Sequence, residues 1–521
     1  MILTTTDYKH FEVTPYIFED YRQANHCLPG DFVNWVDNKC QLVRRAKHRF
    51  IPGVLELNSK YVYGHTSRGA KIFLFHPLDR KYPPFRVGCS TRDTSRNQLA
   101  LVDFMDWEEF ETMPRGNLIR TLGPCGDLDA EKKALTYQFS DPSFSKELFD
   151  IEDISDEGRI ELQGYTLNID PDGCLDIDDV LTLKQISKTE WQFVITISDV
   201  AAFLPAGSVG DRHAFVLGQT LYQNGEAVVP MLPQPLSEMA FSLRPNEKHY
   251  GVSLFCKWKT ETKELEVEGF HETLFRNNRS YSYETITKAD EFPLQILQDI
   301  ASYLKEEVTT DSHEWVAECM LLYNKAVAKK LLAYGVGLLR THSPADAEVV
   351  AQFTAFHPDL KALAYEAANY EPTGVGKVHA SLGSVPYCHA TSPIRRYADL
   401  LNQRCLKALL KNHPPAPTES SVAESLNAIQ KRMRAYERSL FFLEQIAEAP
   451  SGQIQGLVFS STEQKTNVYI PAWKHMIRIE PGAYTIGQPL TLDYYADLQK
   501  PHWDSRMVFR IVSTSSENEN V

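Results

Sequence analysis

The feature that most constrains this chain is an acidic cluster caught between two apolar β patterns. In Asn168-Ile-Asp170-Pro-Asp172-Gly-Cys-Leu-Asp176-Ile-Asp178-Asp179, five carboxylates fall within ten residues. At such spacing they repel one another unless cations neutralise them. The flanks RIELQGYTLNI and VLTLKQI read as strands, so the cluster is expected on an irregular segment between them. Oxygen-only donors suit hard divalent cations. An EF-hand spacing is present superficially, with Asn168, Asp170 and Asp172 at positions 1, 3 and 5, Gly173 at 6 and Asp179 at 12. That motif needs a helix on each side and Glu at the last position, so Mg²⁺ or Mn²⁺ is the favoured reading. Structural Ca²⁺ and a solvated turn are the alternatives. Two such ions about 3.5–4 Å apart serve phosphodiester cleavage.

That chemistry also calls for a cation beside the phosphate. Thr391-Ser-Pro-Ile-Arg395-Arg396-Tyr-Ala-Asp399 offers one, with Pro393 just ahead of a helical pattern and Thr391 or Ser392 as its cap. The plain alternative is that both arginines are exposed or paired with Asp399.

The rest of the chain bounds the class. At 521 residues, with 43% hydrophobic and 23% charged residues, it has the proportions of a globular protein of several domains. Its net charge of −14 argues against an open nucleic-acid coat but leaves room for an internal basic channel. Nine cysteines without a CxxC pair, no apolar run of membrane-spanning length and no leader pattern predict reduced thiols in the cytoplasm. No GxxxxGK[ST] loop appears, so no nucleotide cofactor is expected.

Close-spaced strand patterns run through 28–102, and a helix is predicted from near Asp127. Residues 140–158 read as a polar linker, and strands fill 159–275. Helical spacing marks WVAECMLLYNKAVAKKLLAYGV, ALAYEAANY, YADLLNQRCLKALL and AESLNAIQKRMRAYERSLFFLEQI. About five strands in roughly 65 residues follow Pro450, an OB-type pattern.

Two segments together carry a resemblance. IDPDGCLDIDD is similar to the catalytic signature of the ribonuclease II / ribonuclease R (RNB) exoribonuclease family, and HASLGSVPYCHATSPIRRYADLLNQRCL resembles its second signature. The intervening stretch from WQFVITISDVAAFL through PMLP to YGVS follows the family nearly throughout. LPGDFV, GVLEL and MPRGNLIRTLGPCGDLDAE resemble its cold-shock-type OB domains. The resemblance implies an α+β multidomain architecture, with OB-fold barrels of cold-shock and S1 type flanking a central RNB α/β nuclease domain. The expected divisions are a truncated first cold-shock region reduced to closing strands (1–45), a cold-shock-like OB domain (46–145), the RNB domain (155–445) and an S1-like OB domain (450–515).

It further implies metal-dependent hydrolysis of single-stranded RNA from the 3′ end, releasing nucleoside 5′-monophosphates. Asp170, Asp176, Asp178 and Asp179 would hold Mg²⁺ (or Mn²⁺), and Arg395 would meet the scissile phosphate. Tyr222, Tyr283, Glu437, Arg396 and Ser392 are the RNA-contact candidates, whereas His379 and His389 are read as structural. A monomer is expected. Association with an exosome core is doubtful, since no endonuclease domain stands ahead of the barrels. Between Tyr283 and Trp315 the chain is shorter than usual, and a second base-clamping aromatic has no evident place there. The rival reading is an inactive RNA-binding protein on the same scaffold.

Overall fold

The computed structural model describes residues 1–140, 154–289, 291–343, 346–375, 385–497, 500 and 506–514. Most of the expected 140–158 linker, His379 and the opening HASLGS of the second signature lie outside them. The chain divides into two compact units. One comprises Met1–Ser143, Glu348–Leu363 and Met433–Val521, the other Phe144–Ala347 and Ala364–Arg432.

In the first unit, Ile51–Leu55, Lys71–Pro77, Phe85–Cys89, Gln98–Asp106 and Arg115–Pro124 close into a five-stranded barrel. Alternation drives it: Phe73, Phe75, Phe85, Val87 and Val102 point inward together. At Gly116 a Cβ would lie 2.3 Å from Val102, so only glycine fits that crossing. The helix Leu128–Phe139 follows, capped by the Asp127 carboxylate on the Ala130 amide.

Residues 1–45 hold a three-stranded meander, one helical turn and the hairpin Phe32–Val36/Lys39–Arg44, with Leu3, Phe11, Val13, Phe18, Val33 and Cys40 as a core of their own. Phe11, Phe18 and Trp35 pack ring on ring and supply that core despite the short strands. At the other end of the unit, Ser451–Thr514 supplies five antiparallel strands ordered His475–Ile479, Thr466–Ile470, Ser451–Ser461, Pro489–Ala496, Met507–Thr514. Each of its two edge strands is paired on one side only among the described residues, so the sheet is open where the expected barrel would close.

The second unit is built on a seven-stranded sheet. Its order is Ile160–Glu161, Glu264–Arg276, Lys248–Lys259, Glu190–Ser198, Asp179–Gln185, Tyr165–Asp170, Arg279–Ser282. The central strands are apolar on both faces, as doubly covered strands must be. Leu181, Leu183, Ile195 and Ile197 pack under the helices Phe292–Lys305 and Ser312–Tyr334 on one side, and Val180 and Val194 meet Phe255 and Phe275 on the other. The helix Tyr397–Leu410 is almost wholly buried, and Ser420–Glu448 is the long helix predicted from its spacing.

ALAYEAANY is a correction. It forms the end of a 3₁₀ turn and the strand Asn369–Pro372, because the Tyr370 backbone is claimed by Arg340 in a two-strand ladder and by the Asn427 side chain. All nine cysteines are free, eight of them buried. Among the described residues no helix is long and apolar enough to cross a membrane.

Candidate active site

The site grows from the ends of three neighbouring strands. Antiparallel pairing of Tyr165–Asp170 with Asp179–Gln185 brings Asp170 and Asp179 together at one sheet edge, with the acidic turn between them. Both flanks are strands, which removes the EF-hand reading. Gly173 makes that turn at φ +77°, a conformation favouring glycine. Parallel pairing of Asp170 with Ser282 then places Tyr283 beside the carboxylates. Buried Asn168 orients Asp170: its Nδ2 donates to Oδ2 at 2.9 Å, while its Oδ1 accepts from Asn277 at 2.9 Å.

Asp178 is 3% exposed and is the hinge of the arrangement. One carboxylate oxygen accepts the Ile394 amide at 3.0 Å and the other accepts Arg395 Nε at 3.0 Å. The two distant signatures therefore meet at one side chain. The Ser392–Arg396 turn is held by Thr220 N–H on the Arg395 carbonyl (2.9 Å) and Tyr397 N–H on the Gly218 carbonyl (2.8 Å). Gly218 is required there, since it adopts φ +73° and a Cβ would press to 2.8 Å on Ile429.

The expected helix cap is a second correction. The helix starts only at Tyr397, with no side-chain cap. Asp399 instead reaches back to the Ser392 amide at 2.8 Å and to Arg396 Nη2 at 2.8 Å. The Ile394 amide, which would have joined a helix terminus, is spent on Asp178.

Arg395 keeps 48% of its side chain exposed although its Nε is tied down. Its Nη2 donates to Ser392 Oγ at 3.2 Å, and Nη1 has no partner among the described residues. Arg396 is thus paired with Asp399 and Arg395 is exposed, as the plain alternative has it, with the addition that Asp178 holds Arg395 by its Nε. On the strand Leu221–Gln223, the Tyr222 hydroxyl donates to Asp176, which also takes the Cys174 thiol at 3.6 Å.

The electrostatics follow burial. Asp178 is pushed up to about 7 by desolvation, against the pull of Arg395 and the Ile394 amide. Asp179 is held well above the carboxylate range by burial and then by Asp170 and Asp178, and Asp170 rises chiefly through burial. Burial also raises Tyr222, helped by Asp176, and lifts Tyr283 to about 12. Desolvation works against the Arg395 cation, but Asp178, Tyr222 and Asp176 outweigh it and keep the guanidinium charged.

Such crowding of reluctant carboxylates is the situation a divalent cation relieves, and the all-oxygen donor set suits Mg²⁺ or Mn²⁺. Among the described residues no three acidic, His or Cys side chains already form a cage, because Asp178 faces Arg395 and Asp176 faces Tyr222.

Glu437 belongs to the barrel unit, exposed on the long helix. His389 bonds Tyr370 through Nδ1 at 2.8 Å and Asn402 through its carbonyl, consistent with a structural role. Sequence reasoning passed over Asn277, an ordinary polar residue whose importance lies only in its bond to Asn168.

The RNB domain model matches residues 159–291 and 290–412, and the Dis3-like cold-shock domain 2 model matches 72–140. The chain thus carries an RNB domain and, ahead of it, a Dis3-like cold-shock domain. It is 26% identical to the probable exosome complex exonuclease RRP44 of Caenorhabditis elegans, over 69% of this chain and 48% of that protein. It is 24% identical to ribonuclease R of Chlamydia trachomatis, over 64% and 59%. The chain spans about half the length of the RRP44 relatives it matches.

Among solved structures, Mycoplasma genitalium RNase R in complex with ribose-methylated single-stranded RNA superposes with a TM-score of 0.74 at 16% identity, covering 98% of this chain and all of that one. Yeast Ssd1, described as a pseudonuclease, gives 0.63 at 16% identity, covering 95% and 81%. At these identities the likeness is one of fold.

Proposed function

We propose that this protein is a hydrolytic, divalent-metal-dependent 3′→5′ exoribonuclease acting as a cytoplasmic monomer on single-stranded RNA and releasing nucleoside 5′-monophosphates. The observation that carries this reading is the meeting of the acidic turn with the Ser392–Arg396 turn through Asp178, which leaves Arg395 Nη1 without a partner among the described residues. Asp170, Asp176, Asp178 and Asp179 would hold Mg²⁺ or Mn²⁺, which when bound supplies an activated water and charge for the leaving oxygen. Arg395 binds the phosphate through the edge of its guanidinium that faces solvent. Tyr222 orients Asp176 through its hydroxyl, and Tyr283 offers a ring to a base near the 3′ end.

The test is a time course on 5′-labelled single-stranded RNA with Mg²⁺, beside the same reaction in EDTA and a DNA of equal length. The expected result is decay of RNA to a short 5′-labelled product with mononucleotides released, DNA untouched, and EDTA stopping decay without preventing binding. A stable RNA complex that Mg²⁺ or Mn²⁺ never converts to product would favour the inactive scaffold, as in yeast Ssd1, a pseudonuclease of similar fold.

Tyr222→Phe separates two roles for that ring. A bond to a charged acceptor contributes roughly 1.5–3 kcal/mol, so turnover should fall at least about tenfold with RNA affinity nearly unchanged. A silent Phe variant and a damaging Ala variant would instead make Tyr222 a stacking surface.

A further inference from the structure

Between Tyr283 and Trp315 the described residues form the single helical turn Tyr283–Ile286 and the helix Phe292–Lys305, after which the chain returns to the start of Ser312–Tyr334. That return sets the His313 imidazole flat on the Tyr283 ring, with centroids 3.8 Å apart and planes 10° from parallel. Three bonds fix the overlap. Ser312 Oγ donates to the Tyr283 carbonyl at 2.8 Å, and the Asp311 carboxylate accepts the His313 amide at 2.9 Å and faces its Nδ1 at 3.1 Å. One face of the imidazole is thus spent on Tyr283, while the side chain stays 63% exposed. Holding a ring rigid and solvent-facing on a second ring, beside the carboxylates, gives a preorganised surface for a planar apolar group.

We infer that His313 and Tyr283 act as one two-ring platform, and that the outer face of His313 takes an unpaired RNA base. This rests on the exoribonuclease reading and names a specificity residue within it. The base is recognised by its π face, so the contact is indifferent to sequence and requires only that the nucleotide be unstacked from a duplex. Ring over ring also explains how a shortened segment keeps an aromatic contact, because the start of the helix at Ser312 brings its own ring to Tyr283.

The experiment measures binding in EDTA, where cleavage is off, using RNAs carrying 2-aminopurine at each 3′-terminal position in turn, together with kcat and KM in Mg²⁺. In the wild-type protein one position should be quenched by stacking. His313→Ala should weaken binding about tenfold and raise KM alike with kcat nearly unchanged, and should abolish that quench. His313→Phe should restore all three, and His313→Ala should cost little in a Tyr283→Ala background, since the two rings work as a unit. Equal affinity and quench in wild type and His313→Ala, or a Phe variant as weak as Ala with an unchanged melting temperature, overturns the platform. Failure of the wild-type protein to bind RNA at all overturns the exoribonuclease reading itself, which the unsubstituted control reports separately.

Discussion

Asp178→Asn is expected to lose RNA turnover by roughly 10²–10⁴-fold while RNA binding persists. Asp178 accepts two donors, the Ile394 amide and Arg395 Nε, one on each oxygen. An asparagine has one acceptor oxygen, so either orientation sets its NH₂ against a donor and loosens the Arg395 guanidinium as well as removing a charge from the acidic group. The shape of the buried side chain is kept. The carboxylate it replaces is pushed up to about 7 by burial, so a neutral amide is no harder to bury and folding should survive. Turnover from the 5′-labelled gel, affinity in EDTA and a thermal melt together check this. Undiminished turnover would sink the site assignment. Because Arg395 acts through the same contact, Arg395→Ala combined with Asp178→Asn should cost less than the sum of the two.

The second large effect is structural. Asp199 is fully buried directly after the strand Glu190–Ser198, and its carboxylate takes Lys407 Nζ at 2.5 and 2.6 Å and Arg159 Nη2 at 2.7 Å. Lys407 stands on the helix Tyr397–Leu410 and also meets Glu272 at 2.9 Å. Next to it, Gln403 donates to the Ser198 carbonyl at 2.7 Å and accepts the Ala201 amide at 3.0 Å. This network fastens to the sheet the helix that follows Arg395. Asp199→Ala leaves Lys407 and Arg159 buried with Glu272 as their remaining carboxylate.

Stripping one partner from a buried ion pair costs about 3–5 kcal/mol. For a unit of this size that predicts a fall in melting temperature on the order of 10 °C. Asp199→Asn joined with Lys407→Met should be milder than Asp199→Ala alone, since it removes charge from both sides. A melting temperature for Asp199→Ala within about 2 °C of wild type would show the network to be dispensable.

The reach of the sequence differs from element to element. The strands around Asp170 and Asp179 were legible because residues buried on both faces must be apolar almost without interruption. The long helix ending at Glu448 was legible because its apolar positions recur at helical spacing over eight turns. ALAYEAANY misled, because a helical period says nothing of the Arg340 ladder and the Asn427 amide that claim Tyr370. The expected cap at Thr391 or Ser392 misled for a related reason: the Ile394 amide found a carboxylate 216 residues away.

By itself the sequence determined which groups are present: five aspartates on a segment between buried strands and an arginine pair ahead of a helix, which are local facts set by residue type and period, while Tyr222 and Tyr283 were singled out only by resemblance to the RNB family. Only the tertiary structure decided their employment. Asp178 is shared between a backbone amide and Arg395, Arg396 is given to Asp399, Tyr222 is turned to Asp176, and His313 is laid on Tyr283. The physical reason is one of range. Burial and strand period act between neighbours in the chain, whereas a hydrogen bond or a ring stack forms over a few ångströms and is indifferent to how many residues separate its partners.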